Sequence, residues 1–366
     1  MILTLWSAFY KSKTKTIITK GDLPKITHVI AAYNEEDIIL DKIENTLNLD
    51  YPNSKIRNII VTDGSDDSTV DIVKKNGKVD LFHQDERKGK LDSIDRMIPL
   101  ITTDLIFFSD ANALLSKNSI KDMVVHFEYK KVGAVAGEKM VFSKDSDDAS
   151  GSGESIYWKY ESHIKNCEAK ISSTVGAAGE LFAIRKKLYE TPPKHILVED
   201  LMITMNVAKK GFRIAYEPKA VAMEKPSKNI REEMKRKVRI SAGGIQSIPH
   251  LIPLLNFFKY GSVSFFLMSH RIMRWLFAPL ALILVLMATI FLLQFDYWIY
   301  RIAFYCQLFF YILALFGLLF SHKRLGMKLL FVPFYFVFMH FCIIIGYKKA
   351  LLDDSDLNWE KSKRKS

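Results

Sequence analysis

At 366 residues, with 49% apolar and 25% charged side chains, the chain is long enough for two domains and too apolar to be disordered. Its three cysteines (Cys167, Cys306, Cys342) show neither disulfide nor zinc spacing, so the default compartment for the water-facing part is reducing. The net charge of +12 would suit nucleic acid, but the basic clusters REEMKRKVR, SHKRLGMK and KSKRKS crowd around apolar runs, where anionic lipid and an anionic substrate account for them and no nucleic acid is needed.

The amino terminus, MILTLWSAFY followed by KSKTK, is too short in its apolar part to span a bilayer and has no small-residue cleavage site. It reads as a short interfacial segment over residues 1–24. From residue 27 to 108, apolar runs alternate with helical patterns. HVIAAY (28–33) is strand-like and NEEDIILDKIENTLNL (34–49) is helical; NIIVTD (58–63) is a strand, DSTVDIVKKN a helix, VDLFH a strand, GKLDSIDRMIPL a helix and DLIFFSD a strand. Nearly continuous apolar strands between helices imply a parallel sheet covered on both faces, hence a doubly wound α/β domain. Farther on, SKDSDDASGSGES (143–155) has no periodicity and reads as a mobile loop, without the spacing of a calcium loop. GAAGE (176–180) precedes the strand-like LFAIRK, and VED precedes the helix LMITMNVAKK.

The carboxyl-terminal part changes character. The runs 275–295, 302–321 and 329–347 contain no Asp, Glu, Lys or Arg, and each has about the 20 residues a helix needs to cross a hydrocarbon core. Tyr297 and Trp298, in the first link, suit the interface. Residues 250–274 then read as a membrane-interface segment, 275–347 as transmembrane helices and 348–366 as a basic tail. Three spans from a cytoplasmic domain would put KSKRKS outside, against the positive-inside rule, so either the third run is re-entrant or LIPLLNFFKYGSVSFFLM (251–268) also inserts.

Three predicted strands end in polar clusters: YNEE, TDGSDDST and SDAN. In a doubly wound sheet these ends open onto one crevice, which delivers Asp110 to a ligand-binding edge. Each cluster taken singly is also what helix capping produces, with Asn34 and Asp66 or Asp67 as caps. An acid-rich crevice in a basic protein points to a cation serving phosphate chemistry. A dinucleotide fingerprint is excluded because AAYNEE holds no glycine, and no phosphate-cradling P-loop occurs.

The ordered set AAYNEE, VTDGSDDST, RKGK, FSDAN, YWKYE, GAAGELFAIRK, VEDLMIT, GFRIAYEP and RKVRISAGG, followed by SHRIMRWL and the apolar runs, resembles the membrane-bound family 2 glycosyltransferases, the class of cellulose, hyaluronan and poly-N-acetylglucosamine synthases. The resemblance covers the chain from Lys25 onward. It implies a GT-A fold over residues 25–249, facing the cytoplasm from the inner (plasma) membrane, that uses a UDP-sugar and Mg²⁺ or Mn²⁺ and inverts the anomeric centre. Tyr33 and Glu35 would line the uracil and ribose site, Asp63 would bond the base, and Lys90 would approach the nucleotide. Asp110 and Asn112 would occupy the D-x-D metal site, and Asp200 would be the catalytic base. Arg236 and Arg239 fall where the synthases have Q-x-x-R-W and would clamp the diphosphate. Arg236 in place of Gln and Ile240 in place of Trp weaken the likeness to a processive polymerase, and a neutral Asn112 is a weaker ligand than a carboxylate. Trp158, Gly179, Glu180 and Glu199 are expected on the acceptor side.

The chemistry of these residue types agrees with those roles. A departing diphosphate gathers negative charge that a hard cation neutralises. An acceptor hydroxyl needs a carboxylate within hydrogen-bond reach to take its proton. Glu199 and Asp200 would equally well favour the start of a helix through its dipole, and both roles hold together. The expected activity is sugar transfer to a growing exported polysaccharide or its lipid-linked precursor, with membrane lipid and export machinery as partners. The alternatives are a single transfer to a polyprenyl-phosphate-linked acceptor, or a catalytically silent nucleotide-binding protein. A transporter is disfavoured by spans that carry no charge.

Overall fold

The computed structural model describes residues 2–10, 22–141, 149–320 and 328–352. A short helix, α1 (Ile2–Ala8), precedes an alternating run: β1 (Ile26–Ala32), α2 (Ile39–Leu47), β2 (Ile56–Asp63), α3 (Thr69–Asn76), β3 (Asp80–Gln84), α4 (Lys90–Met97) and β4 (Leu105–Asp110). Less regular elements follow: β5 (Ala113–Leu115), α5 (Ser119–Val124), β6 (Val132–Val141), α6 (Ala149–Ile171), β7 (Phe182–Arg185), α7 (Glu199–Lys209) and β8 (Arg213–Glu224). The chain continues through α8 (Ile230–Leu251), α9 (Phe257–Tyr260), α10 (Ser262–Phe266), a π-helix (Leu267–Phe277), α11 (Ala278–Leu292), α12 (Trp298–Leu319) and α13 (Lys328–Leu352).

The strands form one sheet in the order β3-β2-β1-β4-β7-β6-β8-β5. The first four are mutually parallel, as their alternation with helices predicts, while β7 runs antiparallel to β4 and β6. Every residue of β1 is buried, so both faces of the central strand are covered and its unbroken apolar sequence has a physical cause. At the sheet edge β3 is only partly buried, which explains why its sequence, DLFHQ, turns polar. The register sets Ala31 beside Asp110 and Ala32 beside Thr62, so the ends of β1, β2 and β4 lie side by side at one edge.

Two local expectations are corrected. The helix expected from residue 34 begins only at Ile39, and Asn34 is no helix cap: it adopts the left-handed conformation at φ 52°. Its side chain exchanges hydrogen bonds with Asp66 (Nδ2 to Oδ1 2.6 Å; Asp66 N to Oδ1 3.1 Å), tying the loop after β1 to the loop after β2. The segment expected as a loop over 143–155 is helical from Ala149 onward as the start of α6, and residues 142–148 lie outside the described residues.

Among the described residues, three helical segments are long and apolar enough to cross a membrane: Ser262–Phe295, Trp298–Leu319 and Leu330–Leu351. The first starts at Ser262 rather than Trp275. Hydropathy stops at His270, Arg271 and Arg274, but a helix carrying charges continues when they are paired. His270 bonds Glu168 (2.7 Å) and Glu161 (3.2 Å) of α6, and Arg274 pairs with Glu161. Of the three segments the last is 44% buried, against 6% and 11%, because α13 docks on α8. Gly346 makes that contact close: a Cβ there would lie 2.8 Å from Ser241 Cβ. Helix α1 is seated on the same assembly, with Trp6 against Phe265 and Phe266 and Thr4 bonded to His163.

Candidate active site

The end of β4 opens into a cavity of about 970 Å³ in whose lining Lys and Arg outnumber Asp and Glu. At its centre lies Lys90, the first residue of α4. Its ammonium is 2.7 Å from Asp110 Oδ1 at the end of β4 and 2.8 Å from Glu199 Oε1 at the start of α7. Burial works against that charge, but the two carboxylates overcome it and hold the ammonium well above the ordinary lysine value. Asp200 completes the group. A Cβ placed on Gly179 would lie 3.3 Å from Lys90 Nζ, 3.4 Å from Asp200 Oδ2 and 3.6 Å from Asp110 Oδ2, so glycine leaves open the point on which all three converge.

The neighbouring carboxylates behave differently. Burial alone would raise Glu199, but Lys90 holds it below its ordinary range. Burial and the adjacent Glu199 charge push Asp200 up to about 7, and Lys90 only partly offsets them. A carboxyl poised there exchanges protons readily at neutral pH. The loop carrying Gly179 is anchored on the helix carrying Asp200, since Ala177 N donates to Thr204 Oγ1 at 3.1 Å and Thr204 Oγ1 in turn donates to Asp200 O at 2.8 Å.

Asp63 is buried at the end of β2, and its Oδ2 accepts from the backbone N–H of Lys88 (3.0 Å) and Gly89 (2.5 Å). It thereby fixes the RKGK turn that positions Lys90. The Arg87 guanidinium lies 4.0 Å from the Tyr33 ring centre, and Glu35 N donates to Thr69 Oγ1 at 2.8 Å. Tyr33, Glu35 and Asp63 thus belong to one laced pair of loops beside Lys90.

The two arginines of α8 part company. Arg236 is locked by Glu154 (2.6 Å), Glu224 (3.6 Å) and Glu233 (3.8 Å), an internal cage rather than a free clamp. Arg239 lines the cavity and forms no ion pair among the described residues. Trp158 also lines it, with the Lys139 ammonium 4.8 Å from its ring centre. Glu180 is not an open acceptor group: Lys139, almost fully buried, pairs with both Glu180 and Glu224. Although burial opposes it, that lysine keeps the Glu180 carboxyl far below its usual range. Sequence reasoning missed Lys139, and the available signal was a lysine inside the largely apolar strand β6.

Oxygen donors suited to a hard cation are present. Asn112 Oδ1 is buried without a hydrogen-bond partner, and Asp110 stands at the strand end two residues before it. Among the described residues no three His, Cys, Asp or Glu side chains gather as a metal cage. One carboxylate and one amide still fit Mg²⁺ or Mn²⁺ of the kind that completes its shell with substrate phosphate and water.

Residues 24–243 match the family described as "Glycosyltransferase like family 2". The poly-beta-1,6-N-acetyl-D-glucosamine synthase of Staphylococcus aureus (strain MSSA476) is 28% identical over 261 residues, covering 68% of this chain and 60% of the synthase. The synthase of the same name from Staphylococcus epidermidis is 24% identical over 257 residues, covering 66% and 61%. The matched region thus spans about 60% of the length of these curated relatives. Among solved structures, the mannosyltransferase PcManGT from Pyrobaculum calidifontis, in complex with GDP-Man and Mn²⁺, aligns over 91% of this chain and 89% of its own with a TM-score of 0.63 at 20% identity, a likeness of fold.

Proposed function

Since the chain belongs to glycosyltransferase-like family 2 and carries a GT-A-type mixed sheet with three candidate membrane spans, we propose that it is an inverting, metal-dependent enzyme of the inner (plasma) membrane. It moves a sugar from a UDP-sugar to a growing exported polysaccharide or its lipid-linked precursor, with the sheet domain in the cytoplasm. The observation that carries this reading is the convergence of Lys90, Asp110 and Asp200 on the space left by Gly179. Tyr33, Glu35 and Asp63 hold the nucleoside end, and Lys90 and Arg239 face the diphosphate. Asp110 and Asn112 would hold Mg²⁺ or Mn²⁺, which when bound neutralises charge on the diphosphate. Asp200 takes the proton of the acceptor hydroxyl as its oxygen bonds the anomeric carbon from the side opposite the departing diphosphate, which inverts that centre. Trp158 and Gly179 border the acceptor, and Glu180, held by Lys139, shapes that wall.

Purified protein in lipid, offered a panel of UDP-sugars with and without EDTA, tests this reading by mass spectrometry of products. Metal-dependent transfer that Asp110→Ala abolishes is the expected result. UDP binding with no product on any acceptor would favour a silent nucleotide-binding protein instead.

A further inference from the structure

The cavity has a second end. Away from Asp200 it runs between α6, α8, the π-helix and α13, where Trp275, Met339 and Ile343 line it. The latter two belong to the apolar segment Leu330–Leu351, so this end is walled by a candidate membrane span.

Lys165 of α6 lines the cavity as well, yet the residue is only 3% exposed. The buried cations around it have carboxylates: Lys139 has Glu180 and Glu224, Lys237 has Glu233 at 3.5 Å, and Arg274 has Glu161. Lys165 forms no ion pair among the described residues, and its nearest recorded contact is the Trp158 ring, with 5.5 Å from Nζ to the ring centre. An enclosed ammonium that no carboxylate meets at ion-pair distance is incompletely compensated, even with Glu161, Glu138 and Glu180 acting on it from farther away. Burial and the nearby Arg271 pull its pKa down, and those three carboxylates only partly offset them. A ligand that brings a negative charge to this point removes the penalty. The donor diphosphate is assigned above to Lys90 and Arg239, which leaves Lys165 for a second anion.

We propose that Lys165 marks a head-group subsite for the sugar acceptor, and that the acceptor is an amphiphile whose phosphate meets Lys165 while its apolar tail lies against Trp275, Met339 and Ile343. This rests on the glycosyl-transfer reading above and narrows its acceptor to a lipid-phosphate-linked one. The phosphate is recognised and does not react: the nucleophile remains a hydroxyl of the acceptor, deprotonated by Asp200.

The test uses the intact protein in phosphatidylcholine nanodiscs, titrated with C55 polyprenyl phosphate and with the matching C55 polyprenol, alongside UDP calorimetry on the same preparations. The phosphate should bind saturably and the alcohol at least about tenfold more weakly. Lys165→Met should weaken the phosphate by about tenfold and leave the alcohol and UDP unchanged, and Lys165→Arg should restore it. If Lys165→Met does not retain UDP binding, Lys165→Gln replaces it. Equal binding of alcohol and phosphate, or an unaltered Lys165→Met titration, overturns the subsite. So does displacement of polyprenyl phosphate by an equal amount of phosphatidylglycerol, which would assign Lys165 to bilayer headgroups. Polyprenyl phosphate binding by a native protein that transfers no sugar to any acceptor would instead sink the glycosyl-transfer reading, and the acceptor role with it.

Discussion

Asp200 shows how a single position acquires its chemistry. It shares the first turn of α7 with Glu199, yet only Glu199 has Lys90 as a direct ion-pair partner, while burial and the Glu199 charge push the Asp200 carboxyl up to about 7. In the proposed role of base it would work unprotonated, and kcat/KM should rise as pH climbs through about 7. Asp200→Asn should lower transfer by roughly 10²-fold or more and leave UDP affinity in place, checked by product assay and calorimetry on one preparation. A stability effect runs the other way. A carboxyl whose pKa is raised on folding contributes stability in full below the ordinary carboxylate value and has lost it once pH passes about 7. Asp200→Asn should therefore melt higher than the native protein at pH 8, and a lower melting temperature there would remove the strained-base account. At Asn112 the orphaned amide oxygen offers a second test: Asn112→Asp adds charge where a metal would sit, and Mn²⁺ titration should show tighter binding.

Among the elements, α8 divides its labour within one turn. Arg236 points into three carboxylates drawn from α6, β8 and α8 itself, and Tyr335 of α13 donates to one of them, Glu233, at 3.0 Å. Arg236→Met would leave Glu154 buried without its cation and take one of two cations from Glu224 and Glu233, a loss of roughly 3–5 kcal/mol, readable as a fall in thermal stability in detergent. Arg239→Met should leave the melting temperature nearly unchanged and weaken UDP binding, since Arg239 has no ion pair among the described residues to lose. If the two variants exchanged these effects, the assignment of cage and clamp would be reversed. RKVRI showed that guanidinium groups recur three residues apart, but not which of them is turned inward.

For the molecule as a whole, the last candidate membrane span, α13, also forms a wall of the cavity. Gly346→Val would force α13 away from Ser241 of α8, with an overpacking penalty of roughly 1–3 kcal/mol. Thermal stability and sugar transfer should fall while UDP binding persists, because Asp63 and Lys90 belong to the sheet side of the cavity; equal loss of UDP binding would show that the donor end also depends on α13. The sequence alone determined the alternation that makes a parallel sheet, the delivery of Asp63 and Asp110 to its edge, and the apolar runs of the carboxyl-terminal part. These follow from local periodicity and from polar residues at strand ends, which neighbouring side chains reveal. It did not determine that Lys90 bridges Asp110 and Glu199, that Lys139 and Arg236 neutralise a buried set of carboxylates, or that Lys165 forms no ion pair among the described residues. Nor did it show that the first apolar helix runs on through His270, Arg271 and Arg274. Hydropathy assigns every charge to water, whereas a folded chain keeps a charge inside when a partner far along the sequence meets it there, and only tertiary packing decides which partners meet.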